Sequence, residues 1–217
     1  MKKKAILLCF GLILICSVIV ISLITKSSGI DENAASPLMH QWGKILNEVF
    51  TSDSADEIYA QGKSAVVTQK ELEQAIKFYK LTGLSDADAK AEAEKYLFEY
   101  EALYAKAIEA GFDVSEQEVI NYVNEFKNFA MQADNKEDII AVISEFSSED
   151  EYWDYQVEVY KKSLPIQKYV ESLEQNFKNK PATRGSSGED LENSWQKEFE
   201  QIKESAASEQ EFQVVSN

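Results

Sequence analysis

Cysteine is confined to two positions, Cys9 and Cys16, and histidine to one, His40, in a chain of 217 residues. Both cysteines fall inside an apolar run, so the remainder of the chain has no thiol with which to form a disulfide, bind a metal or attack a substrate. Zinc sites built from nitrogen and sulfur ligands are excluded on the same ground. The eight glycines are scattered at turns and ends, with no phosphate loop, dinucleotide-binding turn or nucleophile elbow. The alternating Asp/Asn run of a helix-loop-helix calcium site is missing too. Positive charge is scarce: 22 Lys and Arg stand against 38 Asp and Glu. Residues 1–26 hold four lysines and no acid, so the rest of the chain goes from −16 to −20 without them. Such a surface repels nucleic acid. Where acids are this abundant, any one carboxylate pair is weak evidence for acid–base catalysis, and most of them are expected on solvated helix faces. The expectation is a protein that is not an enzyme, with no cofactor, no metal and no nucleic-acid partner.

What is present begins with Met1-Lys2-Lys3-Lys4, followed by an unbroken apolar stretch from Ala5 to Thr25. About 20 such residues cross a bilayer, and lysines ahead of them keep the N-terminus in the cytoplasm. Residues 1–26 are therefore expected to be a single N-terminal transmembrane helix, a signal-anchor touching the membrane through residues 5–25, with the rest of the chain extracytoplasmic. Cleavage near Ser27-Ser28-Gly29, giving a secreted protein, is the alternative, although a signal peptide's apolar region normally spans only about 7 to 15 residues. Ile15 stands before Cys16 where a lipoprotein signal would need a small residue.

Residues 27–56 read as a spacer and a first amphipathic helix. Ser36 serves as cap and Pro37 as first helical residue, and Leu38, Met39, Trp42, Ile45, Leu46 and Val49 recur at helical spacing. Residues 57–179 read as a multi-helix domain with at most a short β-hairpin, in which Ile58-Tyr59-Ala60 pairs with Val66-Val67 around Gln61-Gly62. Its helix starts repeat one pattern: Thr68 with Glu71, Ser115 with Glu118 and Ser148 with Glu151 each match a capping box, and Val67 and Val114 stand where a hydrophobic staple needs them. The helix from Asp86 should stop at Gly111. A long helix from Glu149 to Phe177 should kink or split at Pro165. Residues 180–217 read as a linker around Pro181 to Gly188 and an amphipathic helix carrying Leu191, Trp195, Phe199 and Ile202, which packs back on the domain because an exposed stripe of this kind promotes association.

Gly62, the run Val67-Thr68-Gln69-Lys70-Glu71-Leu72, the helix Tyr96 to Ala107 and the start Gly111-Phe112-Asp113-Val114-Ser115-Glu116-Gln117-Glu118-Val119 resemble, in order as well as motif, the N-terminal domain of the SurA and PrsA class of extracytoplasmic peptidyl-prolyl isomerase chaperones. Glu149 to Val170, with the basic pair Lys161-Lys162, continues the likeness. The departures are Lys63-Ser64-Ala65 inserted after Gln61-Gly62, and the lack of any parvulin isomerase domain after this region: the residues beyond Phe177 are too few and contain no histidine. The resemblance thus implies a mostly α, SurA-N-like module that binds unfolded or exported polypeptides and does not isomerise them. A non-catalytic module docking one dedicated partner in a membrane complex is the alternative.

The helix from Glu149 to Leu164 supplies the candidate binding residues. Trp153, Val157, Tyr160 and Leu164 make one stripe and Tyr152, Tyr155 and Val159 a second, together spanning about 200° where an ordinary surface helix needs about 100°. Either this helix is central and packs on two sides, or part of the arc serves clients. On the second reading Tyr152, Trp153, Tyr155 and Tyr160 are the client-binding candidates, with the hydroxyls of Tyr152 and Tyr155 wet and their rings available.

Overall fold

The computed structural model describes residues 32–52, 57–133, 135–180 and 188–215. Among them are seven helices and three short strands: α1 Glu32–Thr51, β1 Ile58–Gln61, β2 Val66–Thr68, α2 Gln69–Leu81, α3 Asp86–Glu109, α4 Glu116–Ala130, α5 Lys136–Ile143, α6 Glu149–Lys178, α7 Gly188–Gln210 and β3 Gln213–Val214. The protein is mostly α, as its periodicity predicts. The expected membrane segment lies outside the described residues, and no helix within them is long and apolar enough to cross a membrane.

Local chemistry sets the helix starts. The Thr68 hydroxyl accepts the Glu71 amide at 3.2 Å while the Glu71 carboxylate accepts the Thr68 amide at 2.9 Å, and Ser115 with Glu118 repeats the arrangement. Each box satisfies two amides that the first helical turn leaves unpaired. At α6 only half of the expected box forms. Ser148 accepts the Glu151 amide at 3.1 Å, but the Glu151 carboxylate turns to the amide of Ser147 at 2.7 Å. Ser85 caps α3 through the amide of Asp88. Gly111, at φ +81°, ends that helix in the left-handed conformation which a side chain disfavours.

Two expectations about proline are corrected, the helix start at Ser36 and the split at Pro165. α1 begins at Glu32, upstream of Ser36, and carries Pro37 inside it. α6 runs through Pro165 without splitting. The missing amide costs that turn a bond, but Ser163, Leu164, Pro165 and Ile166 are all buried, and Tyr100 of α3 hydrogen-bonds to Ser163 at 3.0 Å, so packing holds the helix together across the defect.

The hairpin also exceeds its expectation. β1 and β2 pair antiparallel, with Ala60 opposite Val67 and Gln61 opposite Val66, but β3 joins the other edge of β1, giving a three-stranded sheet ordered β2-β1-β3.

The core has three connected parts. Met39, Trp42 and Leu46 of α1 meet Phe78 of α2, Val119 and Val123 of α4, Val142 of α5 and the aromatic face of α6. Further along α6, Ile166, Val170 and Phe177 pack with Leu103 of α3 and with Trp195 and Phe199 of α7. The sheet's Tyr59, Ala60 and Val67 lie against Leu72, Ala75, Ala93 and Leu97. The C-terminal helix is therefore docked by the stripe that its periodicity singled out. α6 joins the first two parts and α3 the last two, which makes the α3–α6 crossing the middle of the molecule.

Candidate functional site

A cleft of about 650 Å³ opens where the end of α1, the start of α2 and the middles of α3 and α6 converge. Val49 and Phe50 line it from α1, Tyr100 and Tyr104 from α3, and Tyr155 and Val159 from α6. Thr68, Lys70, Glu71 and Gln74 border it from the capped start of α2, and Glu158, Lys161 and Lys162 from α6. The sequence builds this opening through the capping box, since Glu71 both fixes the first turn of α2 and turns its other carboxylate oxygen toward α6.

That oxygen accepts the Lys162 ammonium at 2.7 Å, and the same ammonium donates to Glu101 of α3 at 2.8 Å. Glu101 is 2 % exposed. Burial, reinforced by the negative charge of Glu71 and a hydrogen bond with it, pushes the Glu101 carboxyl up to about 8 against the opposing pull of Lys162. Glu101 is thus mostly protonated at neutral pH. Burial also disfavours the charged form of Lys162, but Glu101 and Glu71 outweigh it and hold the ammonium above its usual pKa. The cluster ties α2, α3 and α6 together and leaves Lys162 fully engaged, with the Tyr104 ring 6.0 Å beneath its ammonium. At the rim Lys161 pairs with Glu158 at 2.6 Å, and Lys70 donates to the Phe50 carbonyl at 3.3 Å.

Chemically, the cleft offers ring faces and aliphatic walls around a polar floor whose charges are already matched. Such a surface suits small apolar groups. Among the described residues no group of three or more His, Cys, Asp or Glu side chains is placed to hold a metal ion.

The four sequence candidates are between 0 and 6 % exposed, which corrects the expectation of wet hydroxyls and available rings. Tyr152 packs between Phe146 and Trp153, with ring centroids at 5.2 and 4.9 Å. Tyr160 sits among Tyr122 and Phe126 at 5.0 and 5.9 Å. Trp153 donates its indole N–H to Glu149 at 3.1 Å under the Lys127 ammonium, and borders a separate depression between α4 and α6. Tyr155 alone reaches the cleft; its hydroxyl accepts from Gln74 at 3.2 Å and its ring meets Phe50 at 5.3 Å. The wide arc of α6 marks a helix with core on two sides. Missed by the periodicity were Glu101, Glu71 and Lys162 as a set and Tyr104 as a cleft wall. One signal was readable: Glu101 falls four residues after Leu97 and three before Tyr104, on the core-facing stripe of α3, where a carboxylate needs a partner.

No protein-family model, curated protein or solved structure matches the chain.

Proposed function

We propose that the chain is a non-catalytic, chaperone-like module that binds unfolded or exported polypeptides outside the cytoplasm, tethered to the membrane through residues 5–25. The observation that carries this reading is the cleft between α1, α2, α3 and α6, whose walls are Phe50, Tyr100, Tyr104 and Tyr155. Its volume lies in the range of sites that take small ligands or a few side chains. Phe50 and Tyr104 are the partly exposed walls, while Tyr100 and Tyr155 are 5 % exposed and back them; aromatic rings give large contact area at low entropic cost. The resemblance to the SurA and PrsA class supports the same reading: where that family carries its isomerase domain, α6 and α7 are joined here through residues 179–187, and α7 returns directly onto α3.

Tyr104 is the wall residue best suited to a test, because it is partly exposed. Tyr104→Ser is expected to reduce the suppression of aggregation of several unrelated unfolded proteins severalfold while leaving the thermal midpoint nearly unchanged. Phe129→Ser, at an exposed aromatic of α4 outside the cleft, is the control and should retain full activity. A parent protein that protects none of these clients would instead favour the dedicated-partner alternative. Equal loss in both variants would move client binding away from the cleft.

A further inference from the structure

The segment after α7 is seated on the sheet in the manner of a bound peptide. It runs antiparallel to β1, with Val214 opposite Ala60 and Gln213 opposite Gln61. Val215 donates its amide to the Tyr59 carbonyl at 2.9 Å, and Lys63 donates its amide to the Gln210 carbonyl at 3.0 Å. One side chain anchors it: the Phe212 ring stacks on Phe98 with centroids 4.5 Å apart and planes 12° from parallel. Beside it the buried Gln210 accepts the Ser64 amide at 2.9 Å and donates to the Ser64 hydroxyl at 3.0 Å. Gly62 makes this approach possible, since a β-carbon there would stand 2.9 Å from the Gln210 side chain and 3.0 Å from the Phe212 ring.

The rest of the attachment is slight. β3 has two residues, both exposed, and Val214 and Val215 remain 55 and 41 % exposed. The joint between helix and strand is Glu211 at φ +52°, a left-handed conformation that a residue with a side chain disfavours. Main-chain pairing plus one pocketed ring, with the other side chains open to solvent, is the pattern of strand addition, in which backbone bonds give affinity and a single pocket gives selectivity.

We propose that the edge of β1 that β3 covers is a strand-addition site for extended polypeptide segments carrying an aromatic residue in the register of Phe212, and that residues 211–215 are its intramolecular occupant, displaced when such a segment binds. The partner is another polypeptide in extended form, with the aromatic facing Phe98 and β-branched residues tolerated after it, as Val214 and Val215 are. Gly62 and the Phe98 ring shape the pocket. The site shares no residue with the lining of the cleft, so it goes beyond the reading given there and can fail separately from it. A tethered occupant competes at an effective concentration of order millimolar, which keeps the edge closed to weak ligands and spares the molecule an unpaired strand edge.

The test uses the full chain and a fluorescent peptide with the sequence of residues 210–216. Phe212→Ser in the protein, which weakens the occupant, is expected to tighten peptide binding by about tenfold or more relative to the parent. Peptides carrying the Phe212→Ser or the Val215→Pro change should lose that binding, the second because proline has no amide to offer the Tyr59 carbonyl. If circular dichroism shows that Phe212→Ser has lost its fold, Val215→Pro in the protein, at the exposed end of the segment, gives the same readout. The proposal is overturned if neither protein variant binds the peptide more tightly than the parent, or if the altered peptides bind as well as the original. Concentration-dependent dimers of the parent that exchange this segment would also overturn it, by making a second copy the occupant.

Discussion

Serine at both Tyr152 and Tyr155 is expected to leave the domain unfolded or close to it. The two rings lie three residues apart on one face of α6. Tyr152 meets Phe146 and Trp153, and Tyr155 meets Phe50 and Phe146 at 5.3 and 5.8 Å while accepting a buried hydrogen bond from Gln74. Truncating one large buried aromatic costs about 3 to 5 kcal/mol. Because both contact Phe146 the losses are not strictly additive, but even about 6 kcal/mol is comparable to the whole stability of an ordinary domain, about 5 to 15 kcal/mol. Urea or thermal unfolding followed by circular dichroism checks this. A double variant that melts within a few degrees of the parent would mean that these rings are not held in the core.

The same pair marks the boundary between what the sequence discloses and what it withholds. The starts of α2 and α4 and the stop of α3 were legible because their causes are local: Thr68 and Glu71 sit within one turn, and Gly111 needs no distant partner, whereas α1 starts upstream of the Ser36 cap. The docking of α7 was legible as well, since Leu191, Trp195, Phe199 and Ile202 make a stripe that water disfavours, and burial against α3 and Phe177 is the available remedy. The width of the α6 arc was visible, but periodicity counts apolar faces without saying what covers them. The cover of Tyr152, Trp153, Tyr155, Tyr160 and Leu164 comes from α1, α2, α4 and α5, and only Val159 of the arc also borders the cluster of α3 and α7. β3 was not legible at all. Two residues carry no alternation, and Gln213-Val214 becomes a strand only because β1, about 150 residues earlier, presents an unpaired edge at the right place. The cleft shows an intermediate case: Glu101 stands out on its own stripe, but its partner Lys162 is 61 positions further on, and only the crossing of α3 and α6 brings them together.

Lys162→Met is expected to destabilise the protein by an amount that depends strongly on pH. The ammonium stands between Glu71 and Glu101, and removing one member of a buried ion pair ordinarily costs about 3 to 5 kcal/mol, because the charge left behind has lost its compensation. Glu101 has an escape that most buried carboxylates lack. Its pKa in the folded protein, about 8, lies above the usual 4.5, so the native state holds a proton that the unfolded chain releases. The stability linked to that proton is complete below about pH 4.5 and is lost as pH rises through about 8. Lys162 itself, held above its ordinary value, stays charged throughout. Near pH 5 a protonated Glu101 needs little from the lysine, and the variant should lose only about 2 kcal/mol, the worth of the two hydrogen bonds that the ammonium gives Glu71 and Glu101. Near pH 9 the parent has an ionised Glu101 matched by Lys162, whereas the variant must either ionise it unmatched or hold a proton against the solution, and the full cost of about 3 to 5 kcal/mol should appear. Glu101→Gln offers the complementary measurement, since a side chain that cannot ionise should flatten the decline in stability between these two pH values. Urea unfolding of the three proteins across that range decides the matter. If Lys162→Met loses the same amount at both ends, the lysine stabilises the α3–α6 crossing through its methylene packing, and the charge cluster is not what joins the helices beneath the cleft.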